Sequence, residues 1–383
     1  MKSLLFINGH LNTGGVERSL VDVLQHIDYS CYEVDLLLLQ GKGDYIEEIP
    51  SRVNIHAYDT EDAYGPIVST VIKNILHGRW FHVFYRIITQ FLGLKFLPWV
   101  IPSLKREYDA AIAYRCGICT DMLVETVRSS NKISWWHHGE MNLGKKEQER
   151  LHSEYLKIQH IIAVSDSCAA LVRQYFPVVK DKVRLIPNML CADAIICKAA
   201  EACIYSFQTT KDKFHIVSVG RLSPEKNMSF CVSVAKALKE QSLPFEWILV
   251  GDGEEHMMIK EKIQDSAVGD CIRMVGSLSN PYPLMQSADL LFHPSLVESQ
   301  GLTVLEAMAL RTPVICVKSA GPSEFIRNGE NGIMIQNDVQ EAAAAITQLS
   351  IDEQLRKFIA EKALVTINMY KPITIIQKIE TLL

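Results

Sequence analysis

The sequence predicts an α/β fold of two Rossmann-like domains facing one another across an interdomain cleft, on three observations. The first is length: 383 residues exceed what a single hydrophobic core usually organises, so two domains are expected. The second is a repeated grammar. "KSLLFINGHLNTGGVERSLVDVLQHI" and "KFHIVSVGRLSPEKNMSFCVSVAKAL" each read as strand, glycine-bearing loop and amphipathic helix. The third is the series of segments downstream of each. Short runs of β-formers, ended by Gly, Ser or Asn and separated by helical periods, are the pattern of parallel sheets covered on both faces.

The first helix carries Val16, Leu20, Val23, Leu24 and Ile27 on one side. "EVDLLLLQ", "DAAIAYR", "KISWWH" and "HIIAVS" continue the first domain as strands, residues 1–190. Residues 191–212 lack a clean strand or helix period and read as a linker. The second domain, 213–370, starts with "HIVSV" and a helix from about Asn227, then continues through "FEWILVGDG", "IRMVGSLS", "DLLFHPS", "TPVICVK" and "NGIMIQ". A last helix within 371–383 follows a proline break. In such sheets ligands bind beyond the carboxyl ends of the strands, so the cleft between the domains is the expected site.

Composition narrows the function. Apolar residues at 48% and charged residues at 22% are globular values. A net charge of −5 argues against a nucleic-acid partner, which calls for a basic excess. Ten cysteines show no framework spacing. Cys116 and Cys119 form a lone CxxC with no second pair to complete a metal set, so reduced thiols in a cytoplasmic protein are expected, with no metal site. "MKSLLFINGH" reads as a strand and not as a signal peptide. No apolar run reaches the roughly 18 residues of a membrane span. The basic, aromatic stretch 77–106, with Arg79, Arg86, Lys95, Lys105 and Arg106, fits either a peripheral contact with the inner membrane surface or a helical pair packed on its own domain.

"ESQGLTVLE" sets Glu298 and Glu306 at the two ends of an apolar run that opens a helix. Core packing gives no reason for both. A glycine lets backbone approach a ligand, a helix N-terminus offers unpaired N–H groups, and carboxylates accept from sugar hydroxyls. A first-turn acid favouring the helix dipole would account for Glu298 alone. "GRLSPEKN" places Arg221 and Lys226 on a loop at a strand's carboxyl end, where two cations can grip a diphosphate. A solvated turn is the plain alternative for that pair.

Together, "GRLSPEKN" and the acid-x7-acid motif "ESQGLTVLEAMA" resemble the family 4 glycosyltransferases of the GT-B fold. "NTGGVERSL", "KISWWHH", "VSDS", "IPN" and "GPSEFIRNGENGIMI" fall in that family's order, so the resemblance covers nearly the whole chain. It implies that Arg221 and Lys226 bind the donor's phosphates, Glu298 the donor sugar and Glu306 the nucleotide's ribose. It implies that Ser299, Gln300, Gly301 and Leu302 present backbone amides to sugar and phosphate. Gly14 and Gly15 match the loop that closes over the donor, and Gly251 belongs to the base pocket. "WWHHGE" offers both His137 and His138 as the family's active-site histidine, with His137 preferred. "IPNMLCAD" keeps Asn188 but loses the glycine that follows in the family, so it receives no role. The last helix is expected to return to the first domain.

The resemblance further implies a retaining transfer from a nucleoside-diphosphate sugar, a UDP-sugar favoured, to a glycan or lipid-linked acceptor in bacterial surface-polysaccharide synthesis. Arg18, Arg115, Glu140, Lys145 and Lys146 are acceptor-side candidates. No Asp-x-Asp triplet occurs in the sequence, and turnover without metal or other cofactor is expected. "GEMNLGKK" misses the P-loop pattern because Lys146 stands where Ser or Thr must bind Mg²⁺. A sugar-nucleotide epimerase of the same fold and a non-catalytic sugar-nucleotide-binding partner remain as alternatives.

Overall fold

The computed structural model describes residues 1–57, 106–141, 143–207 and 213–383. Its strands form two large sheets. Strands β1 (Lys2–Asn8), β2 (Tyr32–Leu38), β3 (Asn54–Ala57), β5 (Ala110–Ala113), β7 (Lys132–Trp136), β8 (His160–Ala163) and β9 (Val183–Leu185) make the first, in the order β3-β2-β1-β5-β7-β8-β9. Two short strands, β4 (Glu107–Tyr108) and β6 (Arg128–Ser129), pair beside it. Strands β10 (Phe214–Val219), β11 (Phe245–Val250), β12 (Ile272–Met274), β13 (Leu290–His293), β14 (Val314–Val317) and β15 (Ile333–Ile335) make the second, in the order β12-β11-β10-β13-β14-β15. Every pairing in both sheets is parallel.

Burial explains the strands. Leu4, Leu5, Phe6 and Ile7 of β1 are all buried, as are all six residues of β11, because helices cover both faces. The helix Gly15–His26 buries Leu20, Val21, Val23 and Leu24 against the first sheet. The C-terminal helix Pro372–Glu380 joins that same core through Ile375, Ile376 and Ile379. Each such burial stabilises by about 1.5–3 kcal/mol, and Lys2 Nζ adds a bond to the Leu383 carbonyl at 2.9 Å. The end of the chain is thus fastened to the half in which the chain begins.

The described part of the expected linker, 191–207, is more ordered than its composition suggests. It contains the helix Ala192–Ala199, with Ile195 and Ala199 buried one turn apart against the helices Tyr282–Ser287 and Leu302–Ala309. Two turns are too short to show a period in sequence. The stretch 77–106 lies outside the described residues except for Arg106, which makes a bidentate pair with Glu33 at 2.7 and 2.5 Å. Among the described residues no helix is long and apolar enough to cross a membrane. None of the ten cysteines forms a disulfide.

Strand order locates the crevices. In the second sheet the order reverses between β10 and β13, so the loops leaving these strands, Gly220–Lys226 and Pro294–Gly301, flank the switch point. In the first sheet it reverses between β1 and β5, flanked by the Gly9–Gly15 loop and by Arg115. These two ends meet. A Cβ built on Gly139 would lie 2.7–2.9 Å from the backbone of Glu298 and Ser299, and one on Gly15 would lie 3.6 Å from Leu302 Cδ1.

Candidate functional site

At the β10/β13 switch point Lys226 ends a short 3-10 turn, Pro224–Lys226, before Asn227 takes a left-handed conformation (φ 54°) into the helix Met228–Glu240. Its Nζ donates to Glu298 Oε1 at 2.6 Å. His293, the last residue of β13, donates from Nε2 to the same oxygen at 2.8 Å. Burial alone would raise the Glu298 carboxyl. The charge of Lys226 and the His293 bond overcome it and hold the group down at about 2. No protein donor reaches Oε2 of Glu298 among the described residues. One oxygen is fixed and the other is left to accept from a ligand.

The backbone after Glu298 is set by glycine. Gly301 has φ +87°, and a Cβ there would meet Pro322 Cγ at 2.9 Å. It starts the helix Leu302–Ala309, which has no side-chain cap, so its first N–H groups face the loop. On the neighbouring loop Gly251 has φ +143°, and a Cβ would fall 1.8 Å from the Gly220 carbonyl oxygen. That contact lets the "VGDG" and "VGR" turns close on each other. Arg221, on the second turn, is exposed and makes no ion pair among the described residues.

Glu306 faces a different set of groups. It accepts from Tyr282 Oη at 3.1 Å and lines a small pocket with Arg18, Asp22, Leu190, Tyr282 and Leu302. Burial, opposed by the tyrosine bond and reinforced by Asp22, pushes its carboxyl up to about 7. The two acids of "ESQGLTVLE" therefore serve separate places, one beside a lysine and one beside a tyrosine.

Other sequence-derived candidates fall in unequal positions. Gln300 is buried, and its amide is fully engaged: Oε1 accepts from Asn188 N at 2.7 Å and Nε2 donates to Asn188 O at 3.1 Å. Its side chain joins the two halves, which leaves only its backbone for a ligand. Asn188, given no role from sequence, extends the link through Ser19 Oγ at 2.8 Å and on to Tyr114 Oη at 2.7 Å. Arg18 is held by Asp22 (2.6 and 2.9 Å) and Glu48 (2.6 Å), so its charge is already balanced. Arg115 pairs with buried Glu17 at 3.2 Å and stays part-exposed. Gly14 gives room to that carboxylate, since a Cβ there would lie 2.4 Å from Glu17 Oε2. Glu140, Lys145 and Lys146 are exposed.

The histidine pair separates clearly. His138 is exposed as a side chain, and its carbonyl accepts from Trp136 Nε1 at 2.8 Å. His137 packs against Tyr114 with ring centroids 5.2 Å apart, and its Nε2 is buried without a hydrogen-bond partner. Burial, then the neighbouring charges of His138 and Arg115, push the imidazole down to about 3, so it is neutral.

His293 is the site residue that the motifs did not supply. Its signal was present: a polar side chain ending an apolar strand, five residues before Glu298, at the carboxyl edge where ligands bind. Tyr282 and Gly139 carried no such signal, because each acts through a contact distant in sequence.

Known proteins resemble this chain in two ways. Residues 204–365 match the family model described as "Glycosyl transferases group 1". The lipopolysaccharide core biosynthesis glycosyltransferase LpsE of Rhizobium meliloti is 30% identical over 184 residues, 48% of this chain and 52% of that protein. The amylovoran biosynthesis glycosyltransferase AmsK of Erwinia amylovora is 29% identical over 147 residues, 36% of each. The chain thus spans about half or less of the length of these relatives. Among solved structures, Anabaena HepE with UDP superposes at a TM-score of 0.69 with 18% identity, covering 100% of this chain and 99% of that one. S. aureus TarM, in complex with UDP and alpha-GlcNAc-glycerol, gives 0.72 with 15% identity and coverage of 100% and 99%. The fold over the whole chain is the GT-B fold of these solved structures, and residues 204–365 match the glycosyl transferases group 1 model.

Proposed function

We propose that this chain is a retaining, metal-independent glycosyltransferase that moves a sugar from a UDP-sugar to a hydroxyl of a glycan or lipid-linked acceptor in surface-polysaccharide synthesis. The observation that carries the reading is the Lys226–Glu298–His293 cluster, with one carboxylate oxygen open beside an uncapped helix N-terminus. That oxygen would accept from a donor-sugar hydroxyl. Arg221, Lys226 and the first amides of the Leu302–Ala309 helix, among them that of Leu302, would stabilise the diphosphate as negative charge develops on it. The backbone of Ser299, Gln300 and Gly301 would border the sugar, Glu306 would accept from the ribose hydroxyls, and Gly251 would border the base. Release of a diphosphate needs charge stabilisation more than a proton donor, and Arg221, Lys226 and these helix amides would supply it without a metal. Gly14 and Gly15 would cover the donor from the other half, and neutral His137 would contact the transferred sugar.

In this reading residues 1–190 with the C-terminal helix form the acceptor side, and 213–370 the donor side. Arg115, Glu140, Lys145 and Lys146 are the exposed acceptor candidates, and a peripheral position at the inner membrane face would bring a lipid-linked acceptor to them. LpsE and AmsK are named for lipopolysaccharide core and amylovoran biosynthesis, and TarM was solved with alpha-GlcNAc-glycerol, which supports this class of acceptor.

The test is consumption of UDP-sugar with a panel of acceptors in EDTA, with the product anomer assigned by NMR. Acceptor-dependent release of UDP and an unchanged anomeric configuration support the reading. Inversion at C2 without acceptor would mean an epimerase, and binding without turnover a sugar-nucleotide-binding partner. A second expectation comes from the meeting of the two halves. Gly139→Ala puts a methyl against the Glu298 and Ser299 backbone, which cannot move without shifting the sugar-binding loop. Turnover should fall by about a hundredfold for a displacement near 1 Å, while each half keeps its far-UV circular dichroism.

A further inference from the structure

Glu324 has no part in the site described so far. It follows the short helix Ala320–Ser323, where the Gly321 amide donates to the Glu298 carbonyl at 3.2 Å. Gly321 also backs onto Gln300 so closely that a Cβ would lie 2.7 Å from Gln300 Cα. The Glu298–Gln300 loop and Glu324 therefore move as one piece of the second half. From there Glu324 reaches the first half. Its Oε2 accepts from the Asp166 N–H at 2.9 Å and its Oε1 from the Ser167 N–H at 2.7 Å.

Asp166 and Ser167 open the helix Asp166–Tyr175, whose positive end attracts an anion. Ser165 takes the next free amide, that of Cys168, at 3.2 Å. The Cys168 thiol lies 3.2 Å from the His138 carbonyl and 3.7 Å from the Ser299 carbonyl. The start of this helix thus touches the histidine loop of one half and the Glu298 loop of the other.

From these contacts we propose that Glu324 is a positioning residue: its carboxylate, docked on the Asp166–Ser167 amides, sets the Glu298 loop in register with the His137–His138 loop. Its consequence for turnover rests on the glycosyl-transfer reading, whereas the docking itself does not. The chemistry requires glutamate. Two amides need two acceptor oxygens, glutamine would turn an NH₂ toward one of them, and aspartate is one methylene short. Nucleotide binding should be indifferent to the contact, because Arg221, Lys226 and Glu306 all belong to the second half.

Full-length wild type, E324Q, E324D and E324A decide the matter by two readouts. In ligand-free protein, hydrogen exchange should be about tenfold or more faster at both the Asp166 and Ser167 amides in E324D and E324A, and at one of the two in E324Q, with the rest of the helix unchanged. In turnover, kcat should drop by about a hundredfold while UDP affinity stays within about twofold of wild type. Unchanged exchange overturns the docking. Faster exchange with unaltered kcat overturns the positioning role and leaves a structural contact. A wild type that consumes no donor removes the glycosyl-transfer reading and the catalytic part of this inference with it, while the exchange result still decides the docking.

Discussion

Lys226→Met is expected to lower both stability and turnover, through the same carboxylate. Glu298 is buried and charged, and Lys226 is one of its two donors. Removing one donor from a buried ionised partner costs about 2–3 kcal/mol at pH 7, the range for hydrogen bonds to charged groups. The pH dependence has a definite sign. Glu298 is held at about 2 against an ordinary value of 4.5, so its contribution is full above 4.5 and is lost as pH falls from there through about 2. Urea denaturation should therefore separate wild type from variant at pH 7, and the gap should narrow as the medium is acidified toward pH 2. Loss of a cation from a preorganised anion site should also reduce kcat by about 100- to 1000-fold. Equal urea midpoints at pH 7 would show that the lysine does not hold this carboxylate in solution.

Glu306→Gln should behave in the opposite sense for stability. The Glu306 carboxyl is pushed up to about 7 by burial, so between 4.5 and 7 the folded protein holds a proton that the unfolded chain has released. Stability then falls as pH rises through that window. An amide removes the penalty, and at pH 8 the variant should be more stable than wild type by about 3 kcal/mol, since each tenfold change in proton affinity corresponds to about 1.36 kcal/mol. If Glu306 accepts from ribose hydroxyls as proposed, the same change weakens that acceptor, and affinity for UDP should fall by about tenfold, one charged hydrogen bond's worth. A variant that gains stability and keeps its UDP affinity would remove Glu306 from the nucleotide site. A variant no more stable than wild type at pH 8 would show that the carboxylate is comfortably ionised.

The legible parts of this molecule were those encoded locally. A strand, its loop and its helix are contiguous, so "HIVSVGRLSPEKN" and "DLLFHPSLVESQGLTVLE" could be placed at strand ends from sequence alone, and Lys226 and Glu298 do meet there. Strands β3 and β9 were missed because Asn54–Ala57 is mostly exposed and Val183–Leu185 has three residues, too little for a period to show. The roles that depend on partners far along the chain were not legible. Gln300 reads as a loop residue that presents its backbone amide to a ligand, yet its side chain closes on Asn188, 112 residues away. Arg18 reads as an acceptor-side candidate, and the structure balances its charge with Asp22 and Glu48. His293 looked like core because the strand that carries it is core.

The central claim is that a diphosphate is gripped at the β10/β13 crevice by protein groups alone. Thermal unfolding with UDP in EDTA tests it most directly, for wild type and for Arg221→Ala, whose exposed side chain can be removed without disturbing the fold. At a hundred times its dissociation constant UDP should stabilise wild type by about 2.7 kcal/mol, and should stabilise Arg221→Ala far less, while the two ligand-free proteins unfold together. Stabilisation that appears only when Mg²⁺ is restored, or that is the same in the variant, would contradict the account.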